Sequence, residues 1–312
     1  NDSLTVSQFE DLEIYTTGVI TATISEGDML TLAGITPLGN TLAITVTDEV
    51  VVAAELNTLD SKTTTDLTVT SSTINGTASD LIAAYTATGS INGLGNEAVT
   101  ISDTTINAKA LNDINGYTTG VVNASSVNTI TATAVEEVTT AYAANAAGTI
   151  TGLGNEGVSI TDTTINAKAL NDIDGYTTGV VNASFVNTIE GTATEINNVF
   201  ASGSSGAITG LGNEAVTLTD TSINASALIS LDGNPYSTKV VNAISVNTIT
   251  GTSADIRIAY LANEAGSISG LGNEAVTLTD TSINASVLMT LDAFTTGIIN
   301  ASSITTLTGS DS

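Results

Sequence analysis

The amino-acid sequence predicts a mainly β fold, a parallel β-solenoid built of coils of about 30 residues with short helical turns on one edge. Two observations lead to this prediction. A segment of about 59 residues recurs along most of the chain. Each copy also contains short stretches in which β-branched residues alternate with polar ones, which is typical of strands. A repeat of fixed length indicates that each unit completes its core against its neighbours, and we expect two coils per repeat.

The repeat is marked by the segment Gly-Leu-Gly-Asn-Glu, followed by alternating apolar and Thr or Ser residues that end in Asp. The four copies of this segment occupy residues 93–97, 152–156, 210–214 and 270–274. A degenerate copy, Leu38-Gly39-Asn40, precedes them. The segment lacks the third Gly and the Lys of a phosphate-binding loop. We therefore predict a tight turn whose glycines adopt positive φ.

The domain organisation follows from the repeat. We expect a single solenoid over residues 1–312. Its sections are a partial repeat at 1–37, a degenerate repeat at 38–93, full repeats at 94–152, 153–210 and 211–270, and a partial repeat at 271–312. The chain enters and leaves in mid-repeat, as a segment of a longer polypeptide would, and neither end carries a recognisable polar cap.

The first half of each repeat predicts a strand and then a helical turn. In one copy, residues 216–219 read Val-Thr-Leu-Thr, an alternation that favours a strand. Leu228 and Leu231 follow it, three residues apart, as they would be on one face of a helical turn. Gly116 and Gly175 are placed to end the equivalent turns in the two preceding copies.

The second half predicts two short strand-like pieces and a second helical turn. Thr252, with Asp255 three residues later, is a capping-box pattern, and Ile256 with Tyr260 forms an apolar pair at helical spacing. The same cap recurs as Thr77/Asp80, Thr192/Glu195 and Thr133/Glu136, the last with one extra residue before its apolar pair Val138/Tyr142. These repetitions favour a short helical segment in each second half.

The composition excludes several classes of partner and chemistry. The 32 acidic and 5 basic residues give a net charge of -27, which would repel nucleic acid and an anionic membrane surface. Cys and His are both absent, which removes disulfides, zinc-thiolate sites and the commonest general base. The sequence contains no run of about 18 apolar residues, so it does not predict a transmembrane helix. We expect neither nucleic-acid binding nor membrane insertion.

Carboxylates recur in pairs six residues apart. The pairs are Glu97/Asp103, Glu156/Asp162, Glu214/Asp220 and Glu274/Asp280. Stacked along a solenoid they would form columns of oxygen ligands, to which hard cations such as Ca2+ bind. The alternative interpretation is an acidic edge that faces water. No other cofactor is indicated.

Asn and Thr also recur at fixed positions. The Asn positions are 107, 166, 224 and 284, and again 123, 182, 242 and 300. Side-chain amides at one coil position can hydrogen-bond to each other, so we predict an Asn ladder. Thr-x-Thr patterns, such as Thr217/Thr219/Thr221, leave ice or glycan binding as an alternative.

An enzyme is not expected. A solenoid that acts on polysaccharides needs one groove with clustered carboxylates. Here the carboxylates recur at the same spacing in every repeat, whereas an active site lies in one place.

Several motifs carry a resemblance to a known group of proteins. They are the run Thr21–Leu30, units of the type Gly-Leu-Gly-Asn-Glu-Ala-Val-Thr-Leu-Thr-Asp-Thr, and Val-Val-Asn-Ala-Ser with Gly-Thr-x-x-Asp. Over essentially the whole chain they resemble tandem repeats of giant secreted cell-surface proteins of marine cyanobacteria and related bacteria. The resemblance implies an extracellular structural or adhesive role, with no catalytic residues to carry over.

The sequence therefore predicts a structural repeat protein of a surface layer, filament or adhesin stalk at the cell surface. Its expected partner is itself, end to end between copies or within a longer polypeptide, with cell-surface glycans as a further candidate. The alternative function is a solenoid module that binds calcium, ice or glycan.

Overall fold

The computed structural model describes residues 3–36, 39–87, 89–237 and 239–309. Leu38, with which the degenerate copy of the marker segment begins, lies outside these ranges. Of the described residues, 34% are helical and 27% are in strands. The chain divides into two compact units, residues 1–132 with 136–158, and residues 133–135 with 159–312.

The helices are α1 Val6–Glu13, α2 Met29–Leu32, α3 Ala53–Asp60, α4 Ala78–Thr86, α5 Ala108–Tyr117, α6 Val135–Ala147, α7 Ala167–Tyr176, α8 Ala193–Ser205, α9 Ala225–Asp232, α10 Ser253–Ala265 and α11 Ala285–Asp292. The strands are β1 Ser3–Leu4, β2 Thr21–Ile24, β3 Thr41–Val46, β4 Val50–Val52, β5 Leu67–Val69, β6 Thr73–Gly76, β7 Ile91–Asn92, β8 Ala98–Ile101, β9 Thr105–Asn107, β10 Val122–Asn123, β11 Thr129–Ala132, β12 Ile150–Thr151, β13 Gly157–Ile160, β14 Thr164–Asn166, β15 Val181–Asn182, β16 Thr188–Gly191, β17 Ile208–Thr209, β18 Ala215–Leu218, β19 Ser222–Asn224, β20 Val241–Asn242, β21 Thr248–Gly251, β22 Ile268–Ser269, β23 Ala275–Leu278, β24 Ser282–Asn284, β25 Ile299–Asn300 and β26 Thr306–Thr308.

At several junctions a strand passes directly into a helix through a capping residue. Asn107 ends β9, and its side chain accepts a hydrogen bond from the backbone N–H of Lys109 in α5 at 3.0 Å. Thr77, Thr192 and Thr252 cap α4, α8 and α10 in the same way. Such side chains satisfy N–H groups that have no partner within the helix. The predicted caps at these three threonines are confirmed.

The first unit contains parallel sheets whose strands come from successive coils. Two five-stranded sheets have the orders β1-β2-β3-β5-β7 and β12-β10-β8-β6-β4. In the second sheet, Val99 pairs with Ile74 on one side and with Val122 on the other, and Val122 pairs with Ile150. These partners lie 25, 23 and 28 residues apart in the chain, fewer than the predicted 30. The pairing joins strands of unlike sequence, so a repeat is not two identical coils.

The second unit has the same construction. Its sheets have the orders β14-β16-β18-β20-β22, β19-β21-β23-β25 and β24-β26, all with parallel pairing. Val216 pairs with Ile189 and with Val241. Helices α7 to α11 pack each against the next. Parallel strands require a crossover connection, which these helices provide.

The core is a column of aliphatic side chains that stack in register. Ile74, Val99, Val122 and Ile150 are at most 1% exposed. Burial of one such side chain stabilises the fold by about 1.5–3 kcal/mol. Each coil adds one buried side chain to this column, so hydrophobic burial is the main contribution to the stability of the fold.

A mainly β fold is not what the structure has, because helical residues outnumber those in strands. Apart from α2, the segments predicted as short turns are helices of 8 to 13 residues. Helices α5 and α7 end one residue beyond Gly116 and Gly175, the residues predicted to end them. Leu111 and Ile114 are buried on the inner face of α5, and burial of each stabilises the fold by about 1.5–3 kcal/mol.

The predicted Asn ladder is wrong. Asn107 pairs with Thr131, and Asn123 pairs with Thr100 and Thr151, so the amides do not stack on one another. The Asn123 carbonyl oxygen instead accepts a hydrogen bond from the backbone N–H of Ser125 at 3.0 Å. The recurring Asn residues thus serve as helix caps and corner residues.

None of the helices in the described ranges combines the length and the apolar composition that crossing a bilayer requires.

Candidate functional site

The marker segment forms the same turn in each of its four copies. In the first copy, Gly93 and Gly95 have φ values of 94° and 128°, in the region that favours glycine. The predicted tight turn is therefore confirmed. A Cβ atom on Gly93 would lie 2.2 Å from the carbonyl oxygen of Val69. Glycine is thus also required there because the turn closely approaches the backbone of the preceding coil.

The glutamate at the end of this segment is buried in every copy. The exposed fraction is 1% for Glu97, Glu156 and Glu274 and 2% for Glu214. The Glu97 carboxylate accepts hydrogen bonds from the backbone N–H groups of Gly95 at 2.9 Å and Asn96 at 3.1 Å. The other three carboxylates accept the equivalent pair. A buried charge is tolerated when it is hydrogen-bonded, so each glutamate holds its glycine turn closed.

A tyrosine hydroxyl donates to this carboxylate in the first two copies. Tyr85 donates to Glu97, and Tyr142 donates to Glu156. Burial, followed by the hydrogen bond to Glu97, raises the pKa of Tyr85 well above its ordinary range. In the fourth copy, burial and then the adjacent Glu274 raise the pKa of Tyr260 in the same direction.

A second aromatic ring stacks on the first in each of three copies. The pairs are Tyr85/Tyr117, Phe200/Tyr236 and Tyr260/Phe294, with ring centroids 5.5, 5.9 and 5.3 Å apart. Phe200 thus occupies the tyrosine position of the third copy without a hydroxyl. The pairs add packing beyond simple burial and fix the first ring against its glutamate.

The aspartate six residues after each glutamate has a different task. The Asp103 carboxylate accepts the backbone N–H of Ala78, the first residue of α4, at 2.6 Å. Asp220 and Asp280 accept from the first residues of α8 and α10 at 2.7 Å. The first N–H groups of a helix have no internal partner and carry a partial positive charge. These aspartates therefore cap a helix that lies earlier in the chain.

The predicted calcium ligands thus have separate partners in the structure. Each glutamate binds its own turn, and Asp103, Asp220 and Asp280 bind helix ends, while Asp162 is half-buried. Within the described ranges, no three or more acidic side chains converge in a way that could hold a metal ion. Repeated Ca2+ sites at these pairs stay a prediction, and the arrangement has a structural task of its own.

The third copy of the turn differs in more than Phe200. In the first copy, the Thr118 hydroxyl donates to the Glu97 carbonyl at 2.6 Å and accepts from the N–H of Gly120 at 3.0 Å. A Cβ atom on Gly120 would lie 2.2 Å from that carbonyl oxygen. In the third copy, Ser237 takes the place of Thr118 and Lys239 takes the place of Gly120. The Ser237 hydroxyl is buried and has no hydrogen-bond partner within the described part of the chain.

Sequence reasoning missed the tyrosines that bind the glutamates. The signal was present, because Tyr85 lies 12 residues before Glu97 and Tyr142 lies 14 residues before Glu156. The spacing of the aromatic residue in the second half of each repeat predicts only that it lies on the apolar face of a helix. The burial of the partner glutamate was needed to reveal its second role.

No model of a known protein family matches this chain, and no curated protein is significantly similar to it.

Proposed function

We propose that this chain is a solenoid segment of an extracellular structural or adhesive protein, as in a surface layer, a filament or an adhesin stalk. The observation that carries the proposal is the recurrence of one hydrogen-bond network in successive repeats. Glu97 and its counterparts bind their own turns, and Asp103 and its counterparts bind helix ends. Polar groups that recur in this way stabilise a scaffold, whereas catalysis needs one distinctive cluster.

The hydrogen-bond pattern within each unit supports a mechanical role. In the sheets described above, paired strands are 20 or more residues apart in the chain and are joined by parallel backbone hydrogen bonds, so coils within a unit are held to one another by the main chain. Caps such as Asp220 on Ala193 add links between sequence-distant elements. A stack built this way lengthens by adding coils without altering those already present.

Composition supports an extracellular location for this scaffold. The absence of Cys and the low number of basic residues, five in 312, leave few positions for oxidation or for trypsin-like proteases. The net charge of -27 favours solubility and opposes non-specific association. The resemblance to repeats of giant secreted cell-surface proteins points in the same direction.

Immunogold electron microscopy of sectioned source cells tests the location and the role together. We expect label on the cell surface or on surface filaments. Label confined to the cell interior would contradict the proposal. Cells with the gene deleted should lose the labelled structure or their attachment to surfaces.

Head-to-tail assembly is the second part of the proposal. Leu307 in β26 is 63% exposed, whereas Ile249, which holds the same position in β21, is buried and pairs with Val276 of β23. A further coil of the same kind, from a longer chain or a second copy, would cover Leu307 as β23 covers Ile249. Such a contact would bury apolar surface and extend the sheet.

Sedimentation velocity at increasing protein concentration tests this assembly. We expect concentration-dependent oligomers for the wild-type chain and a monomer for Leu307→Asp. Ile258→Asp is the control, because it adds the same charge at an exposed aliphatic position on α10, away from the sheet end. A wild-type chain that stays monomeric at high concentration contradicts assembly between copies and leaves the scaffold role standing.

A further inference from the structure

Some of the recurring Asn residues belong to Asn-x-Ser or Asn-x-Thr triplets, the sequence that N-glycosylation requires. Within the described ranges such triplets begin at residues 75, 123, 182, 224, 284 and 300. A buried Asn ladder would have kept these amides from any enzyme. Because the amides do not stack in that way, the surroundings of each one decide whether it can be modified.

Asn224 and Asn284 differ from the rest of this set in how the triplet folds. Both are exposed, at the end of β19 and of β24. The Asn224 carbonyl oxygen accepts the backbone N–H and the hydroxyl of Ser226 at 2.9 and 2.6 Å. The Asn284 carbonyl oxygen accepts the same two groups of Ser286 at 2.9 and 2.7 Å. The third residue of each triplet thus binds the amide of the first.

The nitrogen of each of these amides stays available. Within the described part of the chain, no protein atom accepts a hydrogen bond from Nδ2 of Asn224 or Asn284. A side-chain amide has its oxygen and its NH2 group on opposite sides of one carbon. A carbonyl oxygen held by the serine therefore directs the NH2 group away from the helix, and this nitrogen is the atom to which an N-linked sugar is attached.

The equivalent positions in two other copies show that the helix cap does not depend on the serine. Asn107 caps α5 through the N–H of Lys109 at 3.0 Å, and Asn166 caps α7 through the N–H of Ala169 at 3.2 Å. In both copies the third residue of the triplet is a lysine. Capping therefore explains the recurring Asn but not the serine hydroxyl that completes the triplet in the later copies.

We propose that Asn224 and Asn284 are N-glycosylation sites, whose amide nitrogens accept an oligosaccharide from a lipid-linked diphosphate donor. A bond forms between Nδ2 and the anomeric carbon of the first sugar, while the bond from that carbon to the diphosphate oxygen breaks. The diphosphate leaves with the bonding electrons, and the amide loses one proton. This modification rests on the extracellular location proposed above, because such triplets are modified in secreted chains.

The two positions can carry a bulky group without a change in the core. Ile223 and Ala225, on either side of Asn224, are buried, whereas Asn224 and Ser226 are exposed. Asn224 belongs to the sheet β19-β21-β23-β25 and Asn284 to the sheet β24-β26. The glycans would therefore leave the second unit from two different sheets. A glycan is bulky and solubilising, which suits an exposed scaffold.

Glycopeptide mass spectrometry of the full chain, purified from source cells, tests the proposal. A glutamate-specific protease generates the peptides, because the chain has only five basic residues. Fragmentation that preserves the sugar then locates it within each peptide. We expect a glycan on Asn224 and on Asn284, and none on Asn107 or Asn166, whose triplets end in lysine.

Ser226→Ala and Ser226→Thr are the matched variants. Both keep Asn224 and the backbone N–H that its carbonyl caps, but only threonine keeps the hydroxyl. We expect Ser226→Ala to lose the glycan at Asn224 and Ser226→Thr to retain it. The glycan at Asn284 should stay in both variants and serves as the internal control for folding and secretion.

Unmodified Asn224 and Asn284 in chains recovered from the cell surface would overturn the proposal, and so would a glycan that persists at Asn224 in Ser226→Ala. Either result leaves the scaffold role standing, because the surface location is established separately by the immunogold label. Label confined to the cell interior would contradict the proposed function and the glycosylation together.

Discussion

At the scale of single residues, the contact between an aromatic ring and a buried glutamate recurs with one natural variation. Tyr85 and Tyr142 donate a hydroxyl to Glu97 and Glu156, whereas Phe200 has none to give to Glu214. The Glu214 carboxylate still accepts two backbone N–H groups. The third copy therefore shows that the turn forms without this hydroxyl.

We predict that Phe200→Tyr stabilises the protein. The new hydroxyl would donate to a buried carboxylate, and hydrogen bonds to charged groups contribute about 1.5–3 kcal/mol before the cost of burying the hydroxyl. A net gain of about 1 kcal/mol in the free energy of unfolding is expected. Urea denaturation followed by circular dichroism measures it.

The same substitution in a Glu214→Gln background provides the control. The Gln carbonyl oxygen can take the Oε2 position and accept from the Gly212 and Asn213 N–H groups, but its NH2 group then replaces the Oε1 acceptor and the charge is lost, so Glu214→Gln alone should destabilise the turn by about 1–3 kcal/mol. In that background Phe200→Tyr should give a clearly smaller gain. An equal gain in both backgrounds would show that the hydroxyl acts through something other than the carboxylate.

The tyrosines also predict how stability depends on pH. Burial first, and the neighbouring glutamate second, raise the pKa of Tyr85 and of Tyr260 above the ordinary value of 10.0. Above that pH the unfolded chain releases these protons while the folded chain keeps them. Stability from these residues is therefore complete below pH 10 and falls as the pH rises beyond it, by up to about 1.4 kcal/mol per pH unit for each tyrosine.

Urea denaturation at several alkaline pH values tests this dependence. The free energy of unfolding of the wild-type chain should decline more steeply above about pH 10 than that of the Tyr85→Phe/Tyr260→Phe double variant. Below about pH 9 the two slopes should agree. Parallel curves over the whole range would mean that both hydroxyls ionise as readily in the folded state as in the unfolded one.

At the scale of elements, the helices are tied to sequence-distant parts of the chain through their N-termini. Asp220 accepts the N–H of Ala193 at the start of α8, 27 residues earlier in the chain. Thr192 caps the same helix from its own end through a complete capping box. Helix α8 therefore has one local cap and one long-range cap.

We predict that Asp220→Ala lowers the free energy of unfolding by about 1 kcal/mol, the usual cost of losing an N-cap. Hydrogen exchange should show the loss of protection concentrated in the first turn of α8. Asp172→Ala is the matched control, because Asp172 forms an exposed i,i+4 ion pair with Lys168, a type of contact that contributes little to stability. It should have the smaller effect and should leave α8 unchanged. Equal effects of the two variants would argue against the capping role.

At the scale of the whole molecule, the repeat predicts that one full period can be removed. Deletion of residues 153–210 joins Gly152 to Leu211 and restores the marker segment. Because each coil depends mainly on its neighbours, we expect a folded protein with a cooperative thermal transition. Circular dichroism should show a helical fraction close to the present 34%.

Deletion of half a period is the control for that variant. Removal of residues 153–181 joins the marker glycine to Asn182 and brings together segments that never adjoin in the native chain. We expect loss of cooperative unfolding. If the full-period deletion unfolds as well, the chain behaves as interdependent domains and the solenoid proposal is wrong.

Much of the local structure could be predicted from the sequence alone. The positive φ of Gly93, the Thr caps of α4, α8 and α10, and the alternation in β8 and its equivalents each depend on neighbouring residues. The balance of helix and strand could not be predicted, because the length of a helix such as α5 depends on the burial of its inner face against other parts of the chain.

The sequence by itself determined the repeat, its turns, its caps and the excess of negative charge. Only the tertiary structure decided that Glu97 is buried, that Asp103 reaches α4, and that Thr118 donates to the Glu97 carbonyl. The physical reason is distance along the chain. A cap or a turn is formed by residues a few positions apart in the sequence. Each of these three environments is instead set by atoms from another coil. The repeat alone does not determine which strands of those coils pair.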